Sequence, residues 1–126
     1  MTTAAPLHPG LGDRWASFSL VEQLANVGSE VDRTIRAHAA ASTTRFDNAL
    51  ARALELFDLT AADVRWRGPR RREILRAREE FCRLFFDTSS APQSAPGLQR
   101  YFLHFAVAAN RQRMSRTTAS DLRREP

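Results

Sequence analysis

The chain has 126 residues, of which 43% are hydrophobic and 26% charged, with a net charge of +5; a domain of this length buries about two thirds of its unfolded surface, enough for one core. A single cysteine, Cys82, excludes an intramolecular disulfide and fits a reducing compartment. No run approaches the roughly 18 apolar residues of a membrane span, and MTTAAPLHPGLGDRW lacks a basic region followed by an apolar one, so a cytoplasmic protein without membrane contact is expected.

Residues 1–14 are rich in Pro, Gly, Ala and Thr and are expected to form a flexible arm. Ser19-Leu-Val-Glu22 reads as a capping box, and Leu20, Leu24, Val27, Val31 and Ile35 then recur at helical spacing to about His38. Within this helix Gly28 weakens the backbone by about 1 kcal/mol relative to Ala, which points to close approach by a neighbouring helix. Thr44 is a candidate cap for a second helix carrying Phe46, Leu50, Ala53, Leu54 and Phe57. Thr60 with Asp63, flanked by Leu59 and Val64, predicts a short extra helical turn that Gly68-Pro69 must end.

A third long helix is expected from about Arg70 to Asp87, with Ile74, Leu75, Ala77, Phe81, Leu84 and Phe85 on its apolar positions. The polar loop 87–97 precedes a fourth, from about Pro96 to Arg113, carrying Leu98, Tyr101, Phe102 and Phe105. Residues 114–126 lack periodicity and read as a disordered basic tail. No segment alternates with period two. The expected fold is all-α: an up-down four-helix bundle over residues 15–113 with loose N- and C-terminal tails.

Every one of the 19 basic residues is arginine. Residues 1–64 hold five arginines and eight acids, a net charge of −3, whereas residues 65–126 hold fourteen and six, a net charge of +8. The basic excess peaks in RWRGPRRREILRAR (65–78), with seven arginines in fourteen positions. Arg70, Arg71 and Arg72 stand at a helix N-terminus, the end where the macrodipole disfavours cations. With Arg65, Arg67, Arg76 and the ring of Trp66, they form a candidate surface for nucleic-acid phosphate, Trp66 serving to stack or to pack. The competing reading is a solvated basic loop. On the same helix Glu79 with Arg83, and Glu80 with Arg76, have the spacing of ion pairs. Arg78 falls on the apolar stripe, so a structural pair with Glu30 or Glu55 across the bundle is expected.

Glu30, Glu55, Glu79, Glu80 and His104 are dispersed, and no Glu-x-x-His pair is present, so no metal site is predicted. Cys82 lies in an apolar run and reads as a buried, inert thiol. With no phosphate-cradling glycine loop either, neither an enzyme nor a cofactor is expected. The first functional reading is a binding or adaptor module that contacts RNA or DNA. The second is a self-associating protein-interaction module, in which Phe85, Phe86, Tyr101, Phe102 and Phe105 exceed the needs of one small core.

SLVEQLANVGSEVDR (19–33), RALELFDLT (52–60) and REILRAREEFCRLFFD (72–87) together resemble a group of small bacterial helical proteins to which no function is attached. In architecture and charge the chain is also similar to the four-helix-bundle family named for proteins encoded in 23S rRNA intervening sequences. That family includes a basic oligomeric accessory protein of retroelements, which binds nucleic acid and a reverse transcriptase. The resemblance implies an oligomeric, nucleic-acid-associated bundle and assigns no residue.

Overall fold

The computed structural model describes residues 11–87 and 94–124. Among these the chain is helical and contains no strand. The elements are α1 (Leu11–Ala16), α2 (Leu20–Ala39), α3 (Thr43–Ala62), a 3₁₀ turn (Val64–Trp66), α4 (Pro69–Phe86) and α5 (Ser94–Arg124). The all-α class is therefore as expected. The predicted first to fourth helices correspond to α2 to α5, and the extra turn to the 3₁₀ segment.

α2 starts as its sequence requires. The Ser19 hydroxyl accepts from the Glu22 backbone N–H at 3.2 Å, and the Ser19 N–H donates to Glu22 Oε1 at 3.0 Å. These bonds hold the Glu22 carboxyl below its ordinary range, the Ser19 backbone N–H first among the causes. At its other end α2 closes with a Schellman motif: Ser42 N–H bonds the Ala37 carbonyl and Ala41 N–H the His38 carbonyl, each at 3.1 Å. Ala41 adopts the required left-handed conformation, with φ of 54°, without being glycine.

α3 starts at Thr43, so Thr44 is a first-turn residue rather than the expected cap; Ser42 holds the cap position and its side chain makes no capping bond. Thr60 is not a cap either. It is buried inside α3, donating its hydroxyl to the Leu56 carbonyl at 2.7 Å, and the anticipated staple residue Val64 is exposed. A helix that continues through Thr60 needs its next stop at Asp63, whose side chain accepts from the Arg65 N–H and caps the 3₁₀ turn.

α2 packs chiefly against α3 and α5, while α4 packs on α3 and on α5. Leu24, Val27, Val31, Ala53, Leu56, Phe57, Ile74, Ala77, Phe81, Leu98 and Phe102 make the core. Its centre is aromatic: Phe57 lies 5.6 Å from Phe81 and 6.0 Å from Phe102 between ring centroids. Gly28 explains itself here. A Cβ at this position would stand 2.6 Å from Phe102 Cβ, so only glycine lets α5 approach α2 this closely.

The structure departs from the expected boundaries at both ends. Residues 1–10 lie outside the described residues, but 11–16 of the chain form α1, because Trp15 is buried and its indole N–H donates to Thr60 Oγ1 at 3.0 Å. α5 does not stop near Arg113 but runs to Arg124. Ser19 Oγ bonds Gln112 Oε1 at 3.3 Å and Arg116 bridges Glu22 at 3.2 Å, fastening the helix to the start of α2 beyond the buried Ala109. Residues 88–93 of the predicted loop lie outside the described residues.

Candidate nucleic-acid interface

The Arg65–Arg76 segment leaves α3 through a polar knot. Gln23 of α2 is fully buried; its amide N–H₂ donates to the Trp15 carbonyl at 2.8 Å and to Asp63 Oδ2 at 3.1 Å. Its Oε1 accepts from the Trp66 indole N–H at 2.8 Å. Among the described residues no buried side-chain polar atom lacks a partner, the condition under which a buried network stabilises rather than weakens a fold.

Arg65 grips Asp63 through Nε and Nη2, the shorter contact being 2.6 Å, and donates from Nη2 to the Phe18 carbonyl at 2.8 Å. The hydrogen bond from the Arg65 side chain is the largest of the effects that hold the Asp63 carboxyl down at about 2; partial burial opposes it, and the Arg65 backbone N–H and Gln23 reinforce it. Reciprocally, Asp63 raises the Arg65 guanidinium above its ordinary range. The guanidinium carbon of Arg65 lies 4.5 Å, and that of Arg70 5.8 Å, from the centroid of the Trp66 ring, both within cation–π range. Gly68 then turns the chain with φ of 85°, and Pro69 opens α4.

The seven residues expected at the site therefore divide. Arg65 is tied to Asp63, Trp66 is packed and hydrogen-bonded inside the knot, and Arg71 donates from Nε to the Ala61 carbonyl at 2.7 Å at the end of α3. Arg67, Arg70, Arg72 and Arg76 are exposed and have no carboxylate partner among the described residues. Arg72 and Arg76, one turn apart on α4, line an open cavity of about 600 Å³ with Pro69, Glu73, Ala77, Glu80 and Tyr101. Glu73 is occupied by the Tyr101 hydroxyl at 2.7 Å. Burial, then that bond, pushes the Tyr101 phenol up.

Other pairings differ from expectation. Arg83 meets Glu79 at 2.8 Å, as its spacing implies, but Arg76 and Glu80 share the cavity without an ion pair. Arg78 does not pair with Glu30 or Glu55: it binds Asp58 at 3.0 Å, while Glu30 holds Arg33 and Glu55 holds Arg52 on their own helices. Asp58 lies three residues beyond Glu55, the next position on the α3 face that meets α4. Cys82 is half-buried rather than fully enclosed. Among the described residues no three His, Cys, Asp or Glu side chains come together.

Sequence reasoning missed Gln23 and Asp63, the residues that fix this segment. Gln23 carried one signal, its place four residues before the stripe position Val27. No family model matches the chain, and no curated protein or solved structure is similar to it.

Proposed function

We propose that the protein is a non-enzymatic binding module, an up-down four-helix bundle that contacts RNA or DNA phosphate through Arg67, Arg70, Arg72 and Arg76, in the cytoplasm and as an accessory to a nucleic-acid enzyme. The observation that carries this reading is the division of labour within one segment. Arg65, Trp66 and Arg71 are spent on fastening the backbone, and the remaining four guanidinia are exposed and make no ion pair among the described residues. A fixed backbone presenting exposed guanidinium forks suits phosphate oxygens, which accept bidentate guanidinium bonds. The similarity in architecture and charge to the intervening-sequence family points the same way.

Fluorescence anisotropy with a short labelled RNA and its DNA equivalent, over a series of salt concentrations, tests the reading. Each phosphate neutralised contributes about 0.7 to 0.9 to the slope of log affinity against log salt. Replacing Arg70, Arg72 and Arg76 by Ala should lower that slope by about 2. An unchanged slope removes the assignment.

A second reading, a protein-interaction module, is favoured by the outer face of α5. Leu103, Val107 and Met114 are 59%, 44% and 63% exposed and fall at spacings of four and seven. The aromatic residues first expected to form such a surface mostly do not: Phe102 is in the core, Phe85, Tyr101 and Phe105 pack against it, and only Phe86 of the five stands exposed. A monomer mass by light scattering that does not change with concentration, in the wild type and in Leu103→Glu/Val107→Glu alike, counts against self-association.

A further inference from the structure

Away from the Arg65–Arg76 segment, α2 and α3 enclose a groove near the turn that joins them. It has a volume of about 770 Å³, within the range of small-molecule sites. Arg33 and Arg36 line it from α2, Arg45 and Arg52 from α3, and Asn48 lies between the latter two. Positions 45, 48, 49 and 52 form one helical face, as do 30, 33, 37 and 40 opposite. The floor is built from Ala37, Ala40 and Ala49, whose small side chains leave the space between the arginines open.

The charge here is unbalanced. Four guanidinia meet one lining carboxylate, Glu30, which is engaged by Arg33 at 2.7 Å. Arg52 is positioned by Glu55 at 3.5 Å. The Arg36 and Arg45 side chains make no hydrogen bond or ion pair among the described residues. Asp32 and Asp47 belong to the same helices but do not line the groove. The first turn of α3 carries no acid and no side-chain cap, but the last turn of α2 lines the same groove, so the two helix-end dipoles oppose each other and the positive field here is that of the guanidinia.

We propose that this groove binds a diphosphoryl group, as carried by a nucleotide or by inorganic pyrophosphate. A guanidinium fork matches two oxygens of a phosphoryl group, so a single phosphate engages part of this set and two linked phosphates engage arginines from both helices. Two phosphoryl groups also supply the negative charge that the lining lacks. The α2 wall from Glu30 to Ala40 is about 15 Å long at 1.5 Å per residue, enough for a nucleoside diphosphate. In that case the alanine floor offers apolar surface to the nucleoside and the Asn48 amide offers both a donor and an acceptor to a base edge. The inference is independent of the nucleic-acid reading, since it shares no arginine with it.

The test is isothermal titration of the full chain at low salt with pyrophosphate, ADP and AMP. Three proteins are compared: wild type, Arg36→Gln/Arg45→Gln and Arg72→Gln/Arg76→Gln, each checked for an unchanged circular-dichroism melt. Saturable one-to-one binding of a diphosphate is expected in the wild type and in the Arg72/Arg76 variant. In the Arg36/Arg45 variant the affinity should fall by about 100-fold, tenfold for each charge-assisted contact, and AMP should bind more weakly than ADP throughout. Equal affinity for pyrophosphate and ADP identifies the free diphosphate as sufficient; tighter ADP binding identifies a nucleotide. Absence of saturable binding, an equal loss in both variants, or competition by sulfate as effective as by pyrophosphate overturns the proposal.

Discussion

Replacing Gly28 by Ala sets two effects of known sign against each other. In an exposed helix interior the change stabilises by about 1 kcal/mol, because Ala loses less backbone entropy. At Gly28 the new Cβ would lie 2.6 Å from Phe102 Cβ and 3.1 Å from Phe102 Cγ. Carbon atoms rest at about 3.5 to 4.0 Å, so the contact must open by about 1 Å. Phe102 Cβ is fixed to the α5 backbone, so no rotamer change relieves it; α5 must move away from α2. Overpacking that only a backbone shift can relieve lies at the upper end of its usual range, about 2–3 kcal/mol, leaving a net loss of about 1–2 kcal/mol. For a chain of this length that lowers Tm by about 4–8 °C. The assay is thermal and urea unfolding followed by circular dichroism, with Gly12→Ala as control, since a Cβ at Gly12 meets nothing within 4 Å. The control should be neutral or slightly stabilised. Phe102→Ala keeps the clashing Cβ, so in a double-mutant cycle it should remove only part of the Gly28→Ala penalty while adding its own cavity cost of about 3–5 kcal/mol. A Gly28→Ala protein as stable as wild type would refute the argument that helix separation here is set by the missing Cβ.

Ala41→Gly should raise stability by about 0.5–1 kcal/mol, read from the urea midpoint, because φ of 54° strains any residue with a Cβ. Gln23→Leu orphans the buried indole N–H of Trp66, while the Trp15 carbonyl keeps the Phe18 N–H, and should lose about 1–3 kcal/mol for the one unsatisfied group. Asp63 has a carboxyl held at about 2, below its value in the unfolded chain. Its contribution is therefore complete above about pH 4 and is lost as pH falls through 2. Acid titration of stability between pH 4 and 2 should be less steep in Asp63→Asn than in the wild type; identical slopes would show that Asp63 is not linked to folding.

Much of this fold is local, and that part is readable. The Ser19 box, the Leu24–Val27–Val31 stripe and the odd glycine at position 28 each state a short-range rule, and the structure obeys them. The partner of Arg78 was not readable, since Glu55 and Asp58 share a face of α3 and differ by under one turn. Which one α4 meets depends on how two helices are translated past each other, about 4.5 Å for three residues. The continuation of α5 was hidden for a different reason: residues 110–120 are exposed and the helix is held there by Gln112 and Arg116, which carry no periodic signal. In the candidate interface the arginines were visible as a cluster, but their separation into fastening and exposed residues rests on Gln23, more than forty positions away in the chain from Trp66.

The knot around Gln23 also has an optical consequence. Both tryptophans of the chain, Trp15 and Trp66, hydrogen-bond within it, so all the indole emission originates at one end of the molecule. Arg65 and Arg70 stand against one of those rings, and an anion drawn to Arg70 will register as a change in intensity or wavelength. The groove between α2 and α3 lies about 20 Å further along α2, from Gln23 to Ala37 at 1.5 Å per residue. Occupancy there is dark, so the intrinsic fluorescence of the unlabelled protein reports on one of its two basic regions and is silent for the other.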